Sequence, residues 1–167
     1  MARMGSGHLH FFCGKMGSGK STLAQGVARS CGGVLWAEDV WLSTLFPGQI
    51  QSVHDYALHA SRLKAVTEPL AQGLLRAGVT LVLDFPGNTP EQRVWLKGLS
   101  ESAGVGHTCW LVPADDALCL ARIAQRAQAH GQPTDTADMF HAMLPHFSWP
   151  VASEGLSTRD ASTFVTP

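Results

Sequence analysis

The sequence has no surplus of positive charge. Twelve lysines and arginines stand against thirteen aspartates and glutamates, a net charge of −1 at pH 7. A groove that tracks a nucleic-acid strand needs a basic excess, so nucleic acid is not an expected partner. No apolar run reaches the roughly 18 residues needed to cross a bilayer, and no membrane association is expected. Met1 to His10 carries one arginine and no long apolar stretch, so no secretory leader is expected there. The four cysteines, at 13, 31, 109 and 119, form no CxxC pair. A reduced, cytoplasmic setting suits them better than a disulfide scaffold. The eight histidines offer no zinc-ligand spacing with a third partner: His8 and His10 alternate on one strand, and His54 and His59 are five apart. What the chain does have is 45% hydrophobic against 15% charged residues in 167 positions. That is enough core for one domain over 1–167.

Short apolar runs alternate with helix-period segments. Leu9 to Cys13 reads as a first strand, Ser21 to Ser30 as a helix closed by Cys31-Gly32-Gly33, and Val34 to Ala37 as a second strand. Val40 to Phe46 gives a helical turn or two. Gln51 to Ala77 is a long helix that Pro69 could kink or split, with Gly78 as its cap. Val79 to Leu83 is a third strand with the composition of one buried on both faces. Thr89 as N-cap and Pro90 at the first helical position open a helix to Ala103. Thr108 to Val112 is a fourth strand, and Asp115 to His130 and Asp135 to His146 are helices. This alternation predicts a parallel sheet covered on both faces. Residues 156–167, rich in Ser and Thr, form either a last short strand or a frayed tail.

Gly14-Lys15-Met16-Gly17-Ser18-Gly19-Lys20-Ser21 fits G-x-x-x-x-G-K-[ST], between a strand ending at Cys13 and a helix beginning near Lys20. Glycines let successive backbone N–H groups turn inward around phosphate oxygens, and the helix N-terminus adds free donors and its positive dipole end. Gly14, Gly17, Ser18, Gly19, Lys20, Ser21 and Thr22 are therefore the expected nucleotide-binding residues. Lys20 supplies charge to the β and γ phosphates, and Ser21 a hydroxyl to Mg²⁺.

A triphosphate loop does not name a reaction; other positions must. Asp84 ends the third strand, where a side chain faces the ligand crevice, and is the second expected Mg²⁺ residue; alternatively it serves the turn before Pro86-Gly87. Phe85 follows it where water-activating ATPases place Glu, which argues against a dedicated ATPase. No Asn-Lys-x-Asp guanine signature is present. Glu38-Asp39 follows the second strand, and a carboxylate there can accept the proton of an attacking hydroxyl. Asp39 alternatively caps the helix starting at Val40. Arg122 and Arg126 lie four apart on one helix face and could neutralise a transferring phosphoryl group, or form an ordinary solvated face. Gly131-Gln132-Pro133 could hinge a closure. Trp36 and Trp41 flank the acidic pair and could line an acceptor pocket.

These pieces resemble the small bacterial P-loop kinases related to polynucleotide kinase, chloramphenicol phosphotransferase and zeta toxin, and more closely an AAA-like ATP-binding group clustered with them. The resemblance rests on Gly14 to Thr22, Glu38 to Leu42 with Leu45-Phe46-Pro47, Tyr56 and Arg62-Leu63, Leu83 to Thr89 with Arg93, Cys119 to Arg122 with Arg126, and Phe147 to Pro150 with Glu154-Gly155. It implies Asp39 as catalytic carboxylate, Arg122 and Arg126 in a helical lid over about 115–147, and ATP with Mg²⁺ as cofactors. Asp84-Phe85-Pro86 is similar to the Asp-Gly-Phe-Pro-Arg of adenylate kinases. Gly87 or Asn88 stands where their acceptor-phosphate arginine would be, which counts against a nucleoside monophosphate kinase. After Gly155 the apolar strand of the family is not evident.

The expected fold is thus α/β, a three-layer α/β/α P-loop NTPase domain with a parallel sheet in the kinase order 2-3-1-4, with a possible fifth strand. The expected function is phosphoryl transfer from ATP to a hydroxyl of a small-molecule acceptor, with Lys20, Asp39, Arg122 and Arg126 catalytic and Ser21 and Asp84 at the metal. The alternatives are a slowly hydrolysing, ATP-binding regulatory protein and a polynucleotide 5′-hydroxyl kinase.

Overall fold

Leu9, Phe11, Phe12 and Cys13 are all fully buried, because their strand lies at the centre of the sheet with helices on both faces. This strand is β1 (His8–Cys13). In the computed structural model, which describes residues 7–130 and 134–165, β1 is flanked by β3 (Leu81–Pro86) on one side and β4 (Gly106–Leu111) on the other. β2 (Val34–Ala37) pairs with the outer edge of β3, and β5 (Thr158–Asp160) with that of β4. All pairings are parallel, in the order β2-β3-β1-β4-β5, which is the expected kinase order with the fifth strand present.

Parallel neighbours require crossovers, and each is helical. α1 (Lys20–Cys31) joins β1 to β2. α2 (Glu38–Leu45) and α3 (Val53–Arg76) lead to β3, α4 (Pro90–Ala103) to β4, and α5 (Asp116–His130) with α6 (Ala137–Met143) precede β5. Alternation along β1 divides the core. Leu9, Phe11 and Cys13 join Leu63, Ala71, Leu75, Leu96 and Leu99 of α3 and α4. Phe12 joins Val82, Trp110, Ala24, Val27 and Ala28 on the α1 side. A third, smaller cluster of Cys119, Ile123 and Phe140 ties α5 to α6.

Several boundaries differ from expectation. β3 begins at Leu81, not Val79: the Val79 N–H is used by the Leu74 carbonyl in the turn after α3. Asp84 therefore lies inside β3, level with Ala37, and does not end the strand. Pro86 closes β3, where a missing N–H is tolerated. α2 begins at Glu38, so Asp39 is the second residue of the helix and Ala37 takes the cap position. α3 runs unbroken through Pro69; Ala65 and Pro69 are both exposed, so the carbonyl deprived of its donor faces water. The last expected helix is shorter, α6 followed by a 3-10 turn at Leu144–His146. β5 is polar and exposed, and Phe164 just after it packs on the α1 side. The expected Gly131-Gln132-Pro133 hinge lies outside the described residues. Among the described residues no helix is long and apolar enough to cross a membrane.

Candidate active site

The loop between β1 and α1 is shaped by its glycines. A Cβ on Gly14 would come within 2.6 Å of both Ser18 Oγ and the Val112 carbonyl oxygen. Gly17 and Gly19 have φ of 78° and 106°, in the left-handed region, and Gly19 is the cap of α1. The loop is stitched by Ser18 N donating to the Lys15 carbonyl at 3.0 Å. Lys20 Nζ donates to the carbonyls of Gly14 at 2.6 Å and Lys15 at 2.9 Å. Ser18 is 4% exposed and its hydroxyl oxygen has no partner. Buried polar atoms without a partner are rare in folded proteins, and this one lies in the phosphate loop.

Ser21 and Thr22 are exposed in the first turn of α1. Burial raises the Asp84 pKa, and the neighbouring Ser21 hydroxyl, then Lys20 and Arg126, oppose the rise. Asp39, in the first turn of α2, is exposed to solvent. The protein packed around its carboxyl, and then the Asp84 charge, push its pKa up, while Lys20 and Arg126 pull it down. Burial lowers the Lys20 pKa, opposed first by Asp84 and then by Asp39. Lys20, Asp39, Asp84 and Arg126 thus share one electrostatic cluster, although they come from α1, α2, β3 and α5. Lys20 is half-buried rather than solvent-facing, because the loop folds around its side chain.

The two arginines of α5 separate in their contacts. Arg122 Nη1 donates to the Ser18 carbonyl at 2.8 Å and lies 3.4 Å from that of Gly17, clamping the loop. Arg126 Nη2 pairs with Asp135 at 2.9 Å, and its buried Nε has no partner. Ser21 and Asp84 offer hard oxygen donors of the kind Mg²⁺ takes alongside phosphate oxygens. Among the described residues no three His, Cys, Asp or Glu side chains converge as a metal cluster.

Three features of the site escaped the sequence. Asn88 Oδ1 accepts from the Gly14 N–H at 2.9 Å, tying the β3–α4 turn to the phosphate loop. Arg93, 1% exposed, donates to both Glu154 oxygens at 2.6 and 2.8 Å and to the carbonyls of Gly87 and Ser148. Tyr56 Oη donates to Glu38 Oε2 at 2.7 Å. The Thr89–Gln92 capping box was readable and places Asn88 just before a helix start. Nothing local shows that its side chain reaches a residue 74 positions away.

The sequence profile described as AAA domain matches residues 9–150. No curated protein sequence matches the chain. Among solved structures it is similar to a kinase candidate from Chloroflexus aurantiacus j-10-fl, at 19% identity and a TM-score of 0.74, covering 96% of this chain and 93% of that one. It is also similar to the APS kinase of Mycobacterium tuberculosis in complex with AMPPNP and APS, at 21% identity, TM-score 0.60, and 87% and 84% coverage. A gluconokinase from Sinorhizobium meliloti 1021 aligns at 16% identity, TM-score 0.59, and 95% and 84% coverage. At these identities the likeness is one of fold.

Proposed function

The chain belongs to the AAA domain family, and from that premise we propose that it transfers the γ-phosphoryl group of ATP to a hydroxyl of a small-molecule acceptor. One observation carries the reading: Lys20 of the phosphate loop, Asp84 of β3, Asp39 of α2 and Arg126 of α5 lie close enough to act on one another's charge. Lys20 would hold the β and γ phosphates, together with the free N–H groups of the first turn of α1, and Ser18 Oγ is left unpaired beside them. Ser21 and Asp84 would hold Mg²⁺, whose charge offsets that of the phosphate oxygens. Asp39 would orient the acceptor hydroxyl and take its proton as oxygen bonds to phosphorus and ADP departs. Arg126 would neutralise the moving charge, and Arg122 would hold the loop that receives it.

The fold-level likeness to an APS kinase and a gluconokinase supports a small acceptor. Trp41, half-buried two residues after Asp39, suits one too, whereas Trp36, 5.2 Å from it between ring centres, is buried in the core and not available to an acceptor. The same reading has 1–167 act as one domain with 115–147 as its lid. Its setting would be the cytoplasm, in keeping with four free cysteines.

The test is a radiolabelled phosphoryl-transfer screen over sugars, nucleosides, antibiotics and 5′-hydroxyl oligonucleotides, with calorimetry of ATP binding. Lys20→Ala should abolish tight ATP binding. Asp39→Asn should bind ATP normally and lose about 10²-fold in transfer. Transfer unaffected by Asp39→Asn would overturn its role, and labelled oligonucleotide ends at physiological salt would favour a polynucleotide acceptor.

A further inference from the structure

Glu38 is the only Asp or Glu that is fully buried among the described residues, at 1% exposure. It opens α2, a helix whose cap residue, Ala37, has no side-chain acceptor to offer. Its Oε2 accepts from Tyr56 of α3, and its Oε1 has no partner. Burial lifts its pKa to about 7, and the Tyr56 hydrogen bond opposes the rise. The other charged groups that act on it are Asp39 beside it, Lys64 of α3, 5.0 Å from the Trp95 ring centre, and Asp84 of β3.

For stability alone this is a poor arrangement. A buried carboxyl with an unpaired oxygen costs free energy that an apolar side chain of the same size would not. α2 is only eight residues long: it buries Glu38 and Leu42, half-buries Trp41 against Trp36 and Phe85, and exposes Val40 and Leu45. Successive helical residues are about 100° apart around the axis. With Glu38 directed into the core, Asp39 is turned toward the open crevice.

We propose that Glu38 and Tyr56 are a positioning pair, whose hydrogen bond fixes the first turn of α2 against α3 and so aims the Asp39 carboxylate into the crevice. The consequence for catalysis rests on the function proposed above; the consequence for the direction of Asp39 does not.

The decisive variant replaces both partners with apolar groups of similar shape, Glu38→Leu with Tyr56→Phe. A role in stability alone predicts a lower melting temperature. The positioning role predicts a melting temperature at or above that of the unaltered chain and unchanged affinity for a non-hydrolysable ATP analogue. It also predicts about a tenfold lower rate of MgATP hydrolysis, measured with water as acceptor, since a small misplacement of a reacting group is enough. A crystal structure of the double variant should show Asp39 moved out of the place where it faces Lys20. Glu38→Gln keeps an acceptor for Tyr56 Oη and should return both Asp39 and the rate toward the unaltered chain. Asp39 unmoved in the double variant would overturn the pair. Asp39 moved, with Asp39→Asn leaving phosphoryl transfer to an acceptor from the screen unaffected, would leave the pair standing and overturn the proposed chemistry.

Discussion

The two sides of the crevice are built by different means. The phosphate side is a single run, Gly14 to Thr22, whose shape comes from glycine conformations and backbone donors. The side bearing Asp39 is assembled from side chains of α2, α3 and β3 that meet only in the folded chain. Tyr56 reaches Glu38 across 18 residues, and Trp41 meets Phe85 edge-on with ring centres 6.4 Å apart. Backbone recognition suits a ligand part that never varies, such as a triphosphate. Side-chain recognition suits a part that differs between relatives sharing a fold. On the function proposed above, the difference would put acceptor choice on α2 and α3 rather than on the phosphate loop.

The largest expected effect would blur that distinction. The phosphate loop leans on Asn88 through the Gly14 N–H, and the Asn88 carbonyl accepts from Ser148 N. Arg93 binds the carbonyls on both sides of this joint, Gly87 and Ser148, and is itself held by Glu154. Arg93→Met should therefore leave two carbonyls and a carboxylate short of donors and destabilise the chain by about 3–5 kcal/mol. In a thermal melt that is roughly 10 °C. A loss under about 1 kcal/mol would show that the phosphate loop stands without this distant support.

The next effect sharpens the contrast through pH. Glu38 holds its proton up to about pH 7 in the folded chain, against an ordinary value of 4.5. The folded state binds that proton more tightly than the unfolded one. Its contribution is therefore most favourable below about pH 4.5 and is lost as pH rises through about 7. At about 1.4 kcal/mol per pH unit the ceiling is about 3 kcal/mol. Glu38→Gln has no such proton. Melting-temperature curves of the two proteins from pH 5 to 8 should diverge, the unaltered chain falling relative to the variant as pH rises. Parallel curves would mean that Glu38 titrates as an exposed carboxyl does.

How far each side could be read from sequence follows the same division. The phosphate loop and β2 were legible because their signals are local: a glycine spacing, and an apolar run bounded by Gly33 and an acidic pair. The alternation of elements predicts the parallel sheet, and the resemblance to P-loop kinases its strand order. β3 was misplaced by two residues because Val79 and Thr80 have strand composition, yet the Val79 N–H closes the turn after α3. β5 was obscure because an edge strand exposed at all three residues needs no apolar pattern. Asp39 and Asp84 were found as chemistry but not as geometry, since helix α2 starts one residue before Asp39 and β3 runs two residues beyond Asp84. Asn88, Arg93 and Glu154 were missed as a network because the contacts of Asn88 and Arg93 span 74 and 61 positions. No spacing rule connects such residues.

The smallest expected effect separates two residues that the sequence treats alike. Arg122 and Arg126 are one helical turn apart, yet the first binds loop carbonyls and the second faces the carboxylates. Arg122 contributes by holding Ser18 and Gly17 in place, before any charge moves. Its removal should weaken nucleotide affinity by a few-fold and leave turnover at saturating ATP nearly unchanged, the pattern of lost uniform binding. Arg126 acts on Asp39 and Asp84 electrostatically and shares its guanidinium with Asp135, with Nε left over. A donor without a partner, beside the place where charge would develop, matters most as the phosphoryl group moves. Arg126→Ala should then lower turnover about tenfold, about 1.4 kcal/mol, with little change in ATP affinity. Asp135→Asn, which removes the competing carboxylate, should cost less than Arg126→Ala. Steady-state kinetics of the three variants with calorimetric ATP binding decide it. If Arg122→Ala lowers turnover while Arg126→Ala lowers only affinity, the roles are exchanged, and the clamp on the loop is the group that meets the transferring phosphate.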